Sequence, residues 1–412
     1  MTYSEALEFL FSQFPSYHRI GKAAYRNDLK NIILLDNYFK NPHHRFPTVH
    51  VAGTNGKGSV SHMIASVLHE AGYKTGLFTS PHLKDFRERI RVNGEMIPET
   101  NVVTFVTKYN EIIKEVNPSF FEMTVAMAFN YFAECKVDVA VIEVGLGGRL
   151  DSTNIISPVL SVITNIGHDH MDLLGDTLEK IAFEKAGIIK KNIPVVISET
   201  QPETENVFLR KAVDLNAPIY FADRIFSCEL SKSEIVNKER TYLLTELSTG
   251  NEFEGITVLS GNYQAKNLIA VFAVINLLKK GFNITKENIF DGIRKVVFNT
   301  GLEGRWQILS KSPLTICDTG HNMEGLEYVI GQLENIPKSA LHIVIGFVND
   351  KDLGSVLPLF PKDALYYFTK ASLPRALDES ILKSEATKYG LSGESFPDVR
   401  SALNAARIAA KA

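Results

Sequence analysis

The sequence predicts an α/β protein: a doubly wound, mainly parallel sheet with a P-loop-like turn and a small antiparallel β addition, followed by a second, smaller α/β domain. Three observations predict it. Short β-branched runs, almost continuously apolar, alternate with helical patterns, which is how strands covered on both faces read. One run ends in a glycine-rich turn that opens an amphipathic stretch, "HVAGTNGKGSVSHMIASVLHEAG" from His50 to Gly72. The alternation breaks off near Ala217 and resumes after Gly304.

In chain order, strands are predicted in "FPTVHVAG" (46–53), "KTGLFTS" (74–80), "VDVAVIEVG" (137–145), "PVLSVITNI" (158–166) and "IPVVISE" (193–199). A helix is predicted where Phe121, Val125, Ala128, Phe129 and Phe132 are spaced to share one face. From 217 to 261, "IYFADRIFSCEL", "TYLLTEL" and "GITVLSG" read as antiparallel hairpins. "VVFNTGLEG", Val296 to Gly304, reads as a linker, so a first domain is expected over 1–298 and a second over 299–412. The second is expected to place strands in "PLTICDTG", "ALHIVIGFV" and "ALYYFTK" and to start helices at Glu324, Leu353, Arg375 and Val399.

Composition excludes several partners. The 412 residues are 45% hydrophobic with a net charge of -3, which gives no overall basic field to draw in nucleic acid or an anionic membrane. No apolar run approaches membrane-spanning length, and the N-terminus "MTYSEALEFLFSQF" has neither a basic start nor a small-residue cleavage site. Cys135, Cys228 and Cys317 are far apart, so they read as buried small apolar residues of a protein in a reducing compartment, the cytoplasm.

The turn over Gly53, Thr54, Asn55, Gly56, Lys57, Gly58 and Ser59 has what a phosphate cradle needs. Glycines let backbone N–H groups approach the oxygens, the helix N-terminus adds positive potential, Lys57 supplies a charge and Ser59 a hydroxyl for magnesium. The spacing departs from G-x-x-x-x-G-K-[ST]: Val51 stands where the first glycine belongs, and Gly58 intervenes before Ser59. Ser80, Glu143 and His170 lie at or just beyond the ends of predicted strands, where they can converge on one magnesium completed by water and phosphate oxygens. In "HDH", His168 and His170 point one way on an extended chain and Asp169 the other. A zinc trio there would want a fourth ligand that the neighbourhood does not supply, so His170 is kept as a ligand and His168 is incidental. Lys185, in "FEKAGIIK", reads from spacing alone as a solvated helix lysine beside Glu184. Phe121 fits equally a ring stacked on a flat substrate and plain core.

Beyond "GTNGKGS", the chain carries "LFTSPHL", "VIEVGLGGRLDSTN", "NIGHDHMDLLG", "FEKAGIIK", "GNYQAKN", "EGRWQ", "CDTGHN" and "PRAL". In that order, over nearly the whole chain, these motifs resemble the folylpolyglutamate synthase and dihydrofolate synthase family of Mur-ligase-like, ATP-dependent amide ligases. The resemblance implies ATP and Mg²⁺, with Ser80, Glu143 and His170 as ligands of one magnesium beside Ser59, and a carbamylated Lys185. It implies ATP contacts from Asn267, Arg305 and Asp318, with His321 near the phosphates, and catalytic roles for Lys57, His170 and Lys185. It places Phe121, Glu122, Leu150, Asp151 and Ser152 at the pteridine substrate, with Ser152 where the family usually has alanine, and adds contacts from "YHRIGKAAYR" (17–26). The implied substrates are ATP, L-glutamate and either dihydropteroate or a folate, and the implied state is a monomer. The family continues past its last helix into a final strand, whereas this sequence stops at "ARIAAKA". Two rivals stand beside this reading. One is a Mur-type ligase acting on another carboxylate, and the other is a nucleotide switch, against which Asn237-Lys238 is followed by Glu239 and Arg240 in place of N-K-x-D.

Overall fold

The five apolar runs of the first domain become the strands they predict: β1 (Thr48–Ala52), β2 (Thr75–Phe78), β5 (Val139–Glu143), β6 (Leu160–Ile163) and β7 (Val195–Ile197). In the computed structural model, which describes residues 1–14, 21, 27–231 and 239–411, they pair in parallel within an eight-stranded sheet of order β4-β3-β2-β5-β1-β6-β7-β8. Two departures concern its edges. β3 (Ile90–Val92) and β4 (Glu95–Met96) add an antiparallel edge beside β2, too short and too interrupted by Arg91 and Asn93 to read as strands. Ile219–Phe221, expected in a hairpin, is β8 and pairs in parallel with β7.

The period-two alternation of each strand sorts its side chains to the two faces. Val49, Val51, Val141 and Val162 enter one core with the helices Lys57–Glu70 and Gln264–Leu278. Ala140 and Ile142 enter the opposite core, where the helix Phe120–Cys135 buries Val125, Ala128, Phe129 and Phe132. β1 lies between β5 and β6, so chains leaving their carboxyl ends diverge around it and form the crevice where such sheets bind ligands. The expected antiparallel addition is present as β9 (Phe226–Leu230), β10 (Arg240–Glu246) and β11 (Glu252–Thr257).

The linker expected from Val296 is instead a helix, Val296–Thr300, ended by a left-handed Gly301. Its side chains explain why. Val296 is buried, Asn299 Nδ2 donates to Ser66 Oγ at 3.0 Å and to Glu70 at 2.8 Å, and Thr300 Oγ1 meets His62 Nδ1 at 2.8 Å. The segment is therefore held on the helix Lys57–Glu70.

The chain divides into two units, one ending at Arg305 and the other starting at Trp306. In the second, β12 (Gln307–Lys311) and β13 (Leu314–Cys317) form a hairpin, and β14 (His342–Ile345), β15 (Leu365–Thr369) and β16 (Gly393–Phe396) a parallel sheet. Helices span Met323–Glu334, Leu353–Val356, Glu379–Lys388 and Val399–Ala409. The helix expected from Arg375 starts at Glu379 because Asp378 caps it through the Ser380 N–H at 3.0 Å. The three cysteines are free and part-exposed, not buried as expected. Among the described residues, no helix is long and apolar enough to cross a membrane.

Candidate active site

The turn after β1 is shaped by glycines that nothing else replaces. At Gly53, φ is +147° and a Cβ would stand 1.8 Å from Thr164 Oγ1; at Gly56, φ is +85° and a Cβ would stand 2.4 Å from Asn267 Oδ1. The end of β6 pins the turn from below. Thr54 N donates to Asn165 O at 2.9 Å, Asn55 N to Asn165 Oδ1 at 2.8 Å, and Thr164 Oγ1 to Asn55 O at 2.5 Å. The helix then starts at Lys57 with no side chain capping its first turn, so those N–H groups point at whatever anion the turn encloses.

Two lysines meet on one carbonyl. Lys57 Nζ donates to Gly53 O at 2.9 Å and to Thr54 O at 3.1 Å, and Lys185 Nζ donates to the same Gly53 O at 2.9 Å. Lys185 is thus not the solvated helix lysine that spacing suggests; it is 3% exposed. Burial first, and the Lys57 charge second, hold its pKa down to about 7 against the pull of Asp169 and Asp151. A large fraction of its amine is therefore neutral near pH 7.

Glu143 ends β5 beside the same helix start. It is buried, and Oε2 accepts from Ser80 N at 3.1 Å. A Cβ on Gly58 would lie 3.7 and 3.9 Å from its oxygens and 3.3 Å from Arg305 Nη2, so the carboxylate and the guanidinium both face the first turn. Burial raises the Glu143 pKa, opposed by Lys57, the Ser80 amide, Arg305 and Arg89. A buried carboxylate is a hard oxygen ligand that suits a divalent cation such as Mg²⁺, and such a cation would favour the ionised form that burial disfavours. Ser59 Oγ accepts from Gln264 Nε2 at 3.3 Å. His170 heads the turn Met171–Leu174 with a left-handed φ of 51°, and its Nε2 lies 3.8 Å from Asp169 Oδ2. Among the described residues, no group of three or more His, Cys, Asp or Glu side chains forms a metal cluster.

The residues expected at the substrate bond mainly to their own loops. Glu122 Oε2 accepts from Ser119 N at 2.6 Å and Glu122 N donates to Ser119 Oγ at 3.2 Å, a reciprocal cap on the helix Phe120–Cys135. Asp151 accepts from Leu146 N at 2.8 Å and from Thr153 N at 3.0 Å, while Thr153 Oγ1 lies 2.9 Å from His50 Nε2. Phe121 is half-buried, and its ring covers Gly145 so closely that a Cβ there would stand 2.4 Å from Cζ. Leu150 is half-buried and Ser152 buried. In the second unit, Asp318 accepts from Trp306 N and Gly320 N, each at 2.7 Å, and the exposed His321 places Nδ1 3.0 Å from Thr319 O. Apart from Gly21, the stretch 17–26 lies outside the described residues, as do Asn237 and Lys238.

Sequence reasoning missed Gln264, which is fully buried and bonds both Ser59 and Asn267. Its signal was available: it stands three positions before Asn267 on one helix, hence on the same face. It also missed Arg89, buried with Nε donating to His82 Nδ1 at 2.7 Å.

Comparison with known families and structures agrees with this layout. The Mur ligase middle domain matches residues 51–275 and the Mur ligase glutamate ligase domain residues 304–412. The folylpolyglutamate synthase of Lacticaseibacillus casei is 34% identical over 391 residues, covering 92% of this chain and 88% of the relative. The solved structure of Escherichia coli FolC in complex with DHPP and ADP aligns with a TM-score of 0.84 at 27% identity, over 99% of this chain and 92% of that one. A bifunctional folylpolyglutamate synthase/dihydrofolate synthase with Mn, AMPPNP and L-glutamate bound aligns at 0.82 and 25% identity, over 98% and 92%.

Proposed function

This chain belongs to the folylpolyglutamate synthase/dihydrofolate synthase family of Mur-type ligases, and from that premise we propose how its residues join L-glutamate to a pteroate or folate carboxylate with ATP. The observation that carries the reading is the convergence of Lys57, Glu143 and Arg305 on the first turn of the helix that opens at Gly56.

In this reading, the amides from Gly56 to Ser59 hold the phosphates of ATP, those of Thr54 and Asn55 being held by Asn165, and Lys57 releases its carbonyl partners to take up charge on the transferring phosphoryl group. Ser59, Ser80, Glu143 and His170 would hold a divalent cation, Mg²⁺, which when bound would neutralise phosphate charge and supply a Lewis acid. An acceptor carboxylate oxygen attacks the γ-phosphorus and ADP leaves. The uncharged amine of glutamate then attacks the acyl carbon, inorganic phosphate departs, and the nitrogen loses one proton. Arg305, Asn267, Asp318 and His321 are assigned to ATP, and Phe121, Glu122, Leu150, Asp151 and Ser152 to the pterin side. Lys185 is assigned a carbamate. Its burial and its neighbour Lys57 supply the neutral amine that addition to CO₂ requires, and the product replaces a cation beside Lys57 with an anion.

The test is phosphate release from MgATP with L-glutamate, run separately with dihydropteroate and tetrahydrofolate, with mass spectrometry of the products. Products one glutamate heavier are expected, and the substrate that yields them assigns the specificity. Intact ATP binding with no adduct from either pterin would overturn the assignment.

A further inference from the structure

We propose that Gln264 is a positioning residue for the phosphate loop: its carboxamide sets the direction in which Ser59 presents its hydroxyl. The inference rests on the reading of this loop as the nucleotide site.

The side chains of Asn267 and Gln264 form a chain of hydrogen bonds that ends on Ser59. Asn267 Nδ2 can only donate, so the Gln264 atom 2.8 Å from it is the oxygen. That leaves the Gln264 NH₂ facing Ser59 Oγ at 3.3 Å. The other end of Asn267, Oδ1, lies against Gly56, 2.4 Å from where a Cβ would be. Two hydrogen bonds, Asn267 to Gln264 and Gln264 to Ser59, together with the packing of Asn267 against Gly56, thus ring the start of the helix, spanning Lys57 and Gly58. An amide NH₂ group cannot accept, so Ser59 Oγ accepts a hydrogen bond from Gln264 Nε2. Its own O–H and its second lone pair are then turned away from Gln264, which leaves that lone pair for a cation.

The ring is braced from outside the main sheet. Arg240 of β10 is 5% exposed, and it donates Nη1 to Ser260 O at 2.9 Å and to Asn262 Oδ1 at 2.8 Å, and Nε to Ser231 O at 3.0 Å. Gln264 is the first residue of the helix that follows this clamped segment. The antiparallel addition thus fixes the entry of the helix that carries Gln264 and Asn267.

Calorimetric titration of the full chain with ADP, without and with Mg²⁺, tests the assignment on the wild type, Gln264→Met, Ser59→Ala and the double variant. Gln264→Met keeps the length and loses both hydrogen bonds. It is expected to lose about tenfold more affinity for ADP with Mg²⁺ than without it, any Mg-free loss measuring its hold on Asn267, and in that Mg-dependent part to add nothing on top of Ser59→Ala. Equal losses with and without Mg²⁺ mean a packing role and overturn the proposal. So does a Ser59→Ala protein that keeps the full Mg²⁺ enhancement, a result that stands whether or not Gln264→Met folds. A wild-type chain that binds no ADP at all would instead overturn the nucleotide reading underneath.

Discussion

The turn after β1 and the loop after β5 leave neighbouring strands of one sheet, yet they use their polar side chains in opposite ways. Around Gly53–Ser59, side chains from distant segments, Thr164, Asn165, Lys185, Gln264 and Asn267, reach in to hold the turn or its first helical turn. In the 145–154 loop, and likewise at the helix start after Ser119, the acidic groups are bound mainly to their own segments' amides. The first arrangement leaves the first helical turn without a side-chain cap, its N–H groups facing the site proposed for ATP. The second shapes a wall, and the chemistry of that wall is set by what its side chains have left over.

The contrast breaks most easily at Lys57. If the turn works through converging positive charge, Lys57→Met should lower kcat/KM for MgATP by about 10²–10³-fold, as loss of one preorganised charge does elsewhere. Folding should survive, because the lysine's partners are two carbonyls at the edge of the crevice. A loss under tenfold in steady-state phosphate release would mean that the loop amides suffice.

Glu143→Gln comes next, at about 10²-fold in activity, with a stability signature that goes the other way. Burial raises this group's pKa, so its ionised form opposes folding above that pKa and the opposition fades as pH falls through it. The amide removes that opposition, so the metal-free variant should melt no lower than the wild type at pH 8. A clearly lower melting temperature would mean that the carboxylate serves the fold.

Lys185 gives a smaller and condition-dependent effect. Its amine is held at about 7 in the fold against an ordinary 10.5. For a base with a depressed pKa, the destabilisation is fully present below the folded value and is relieved as pH rises toward the unfolded one. In CO₂-free buffer without metal, the melting temperature should therefore climb from about pH 7 to about pH 9, and Lys185→Met should flatten that climb. With the carbamate proposed above, bicarbonate should raise the wild-type rate several-fold and give a carbamate signal in ¹³C NMR. A rate indifferent to bicarbonate would remove the carbamate and leave the buried amine as it stands.

Legibility in the sequence follows the same contrast. The parallel strands were readable because burial on both faces demands continuous apolar runs, and the turn was readable because glycines at positive φ have no substitutes. β3, β4, β12 and β16 were not, because edge and hairpin strands need only two to five residues and tolerate polar ones. The helix Val296–Thr300 was missed because its anchors, His62, Ser66 and Glu70, lie more than 200 positions away in the chain. Lys185 reads as a surface lysine for the same reason: the carbonyl that buries it belongs to Gly53, 132 positions earlier.

The smallest effect sharpens the comparison from the wall's side. Glu122 is assigned to the pterin side, but it forms a reciprocal cap with Ser119. Glu122→Gln keeps an oxygen for the Ser119 amide and removes only the charge, so it should cost about 1 kcal/mol or less of stability. If the carboxylate also serves the acceptor, KM for the pterin should rise while KM for MgATP stays fixed. If its whole role is the cap, both KM values of Glu122→Gln should stay at the wild-type level, and Ser119→Ala, which removes the hydroxyl half of the cap, should lower the melting temperature without moving them either. KM values unmoved in both variants would take Glu122 out of the substrate set and leave the wall shaped by Asp151 and Phe121.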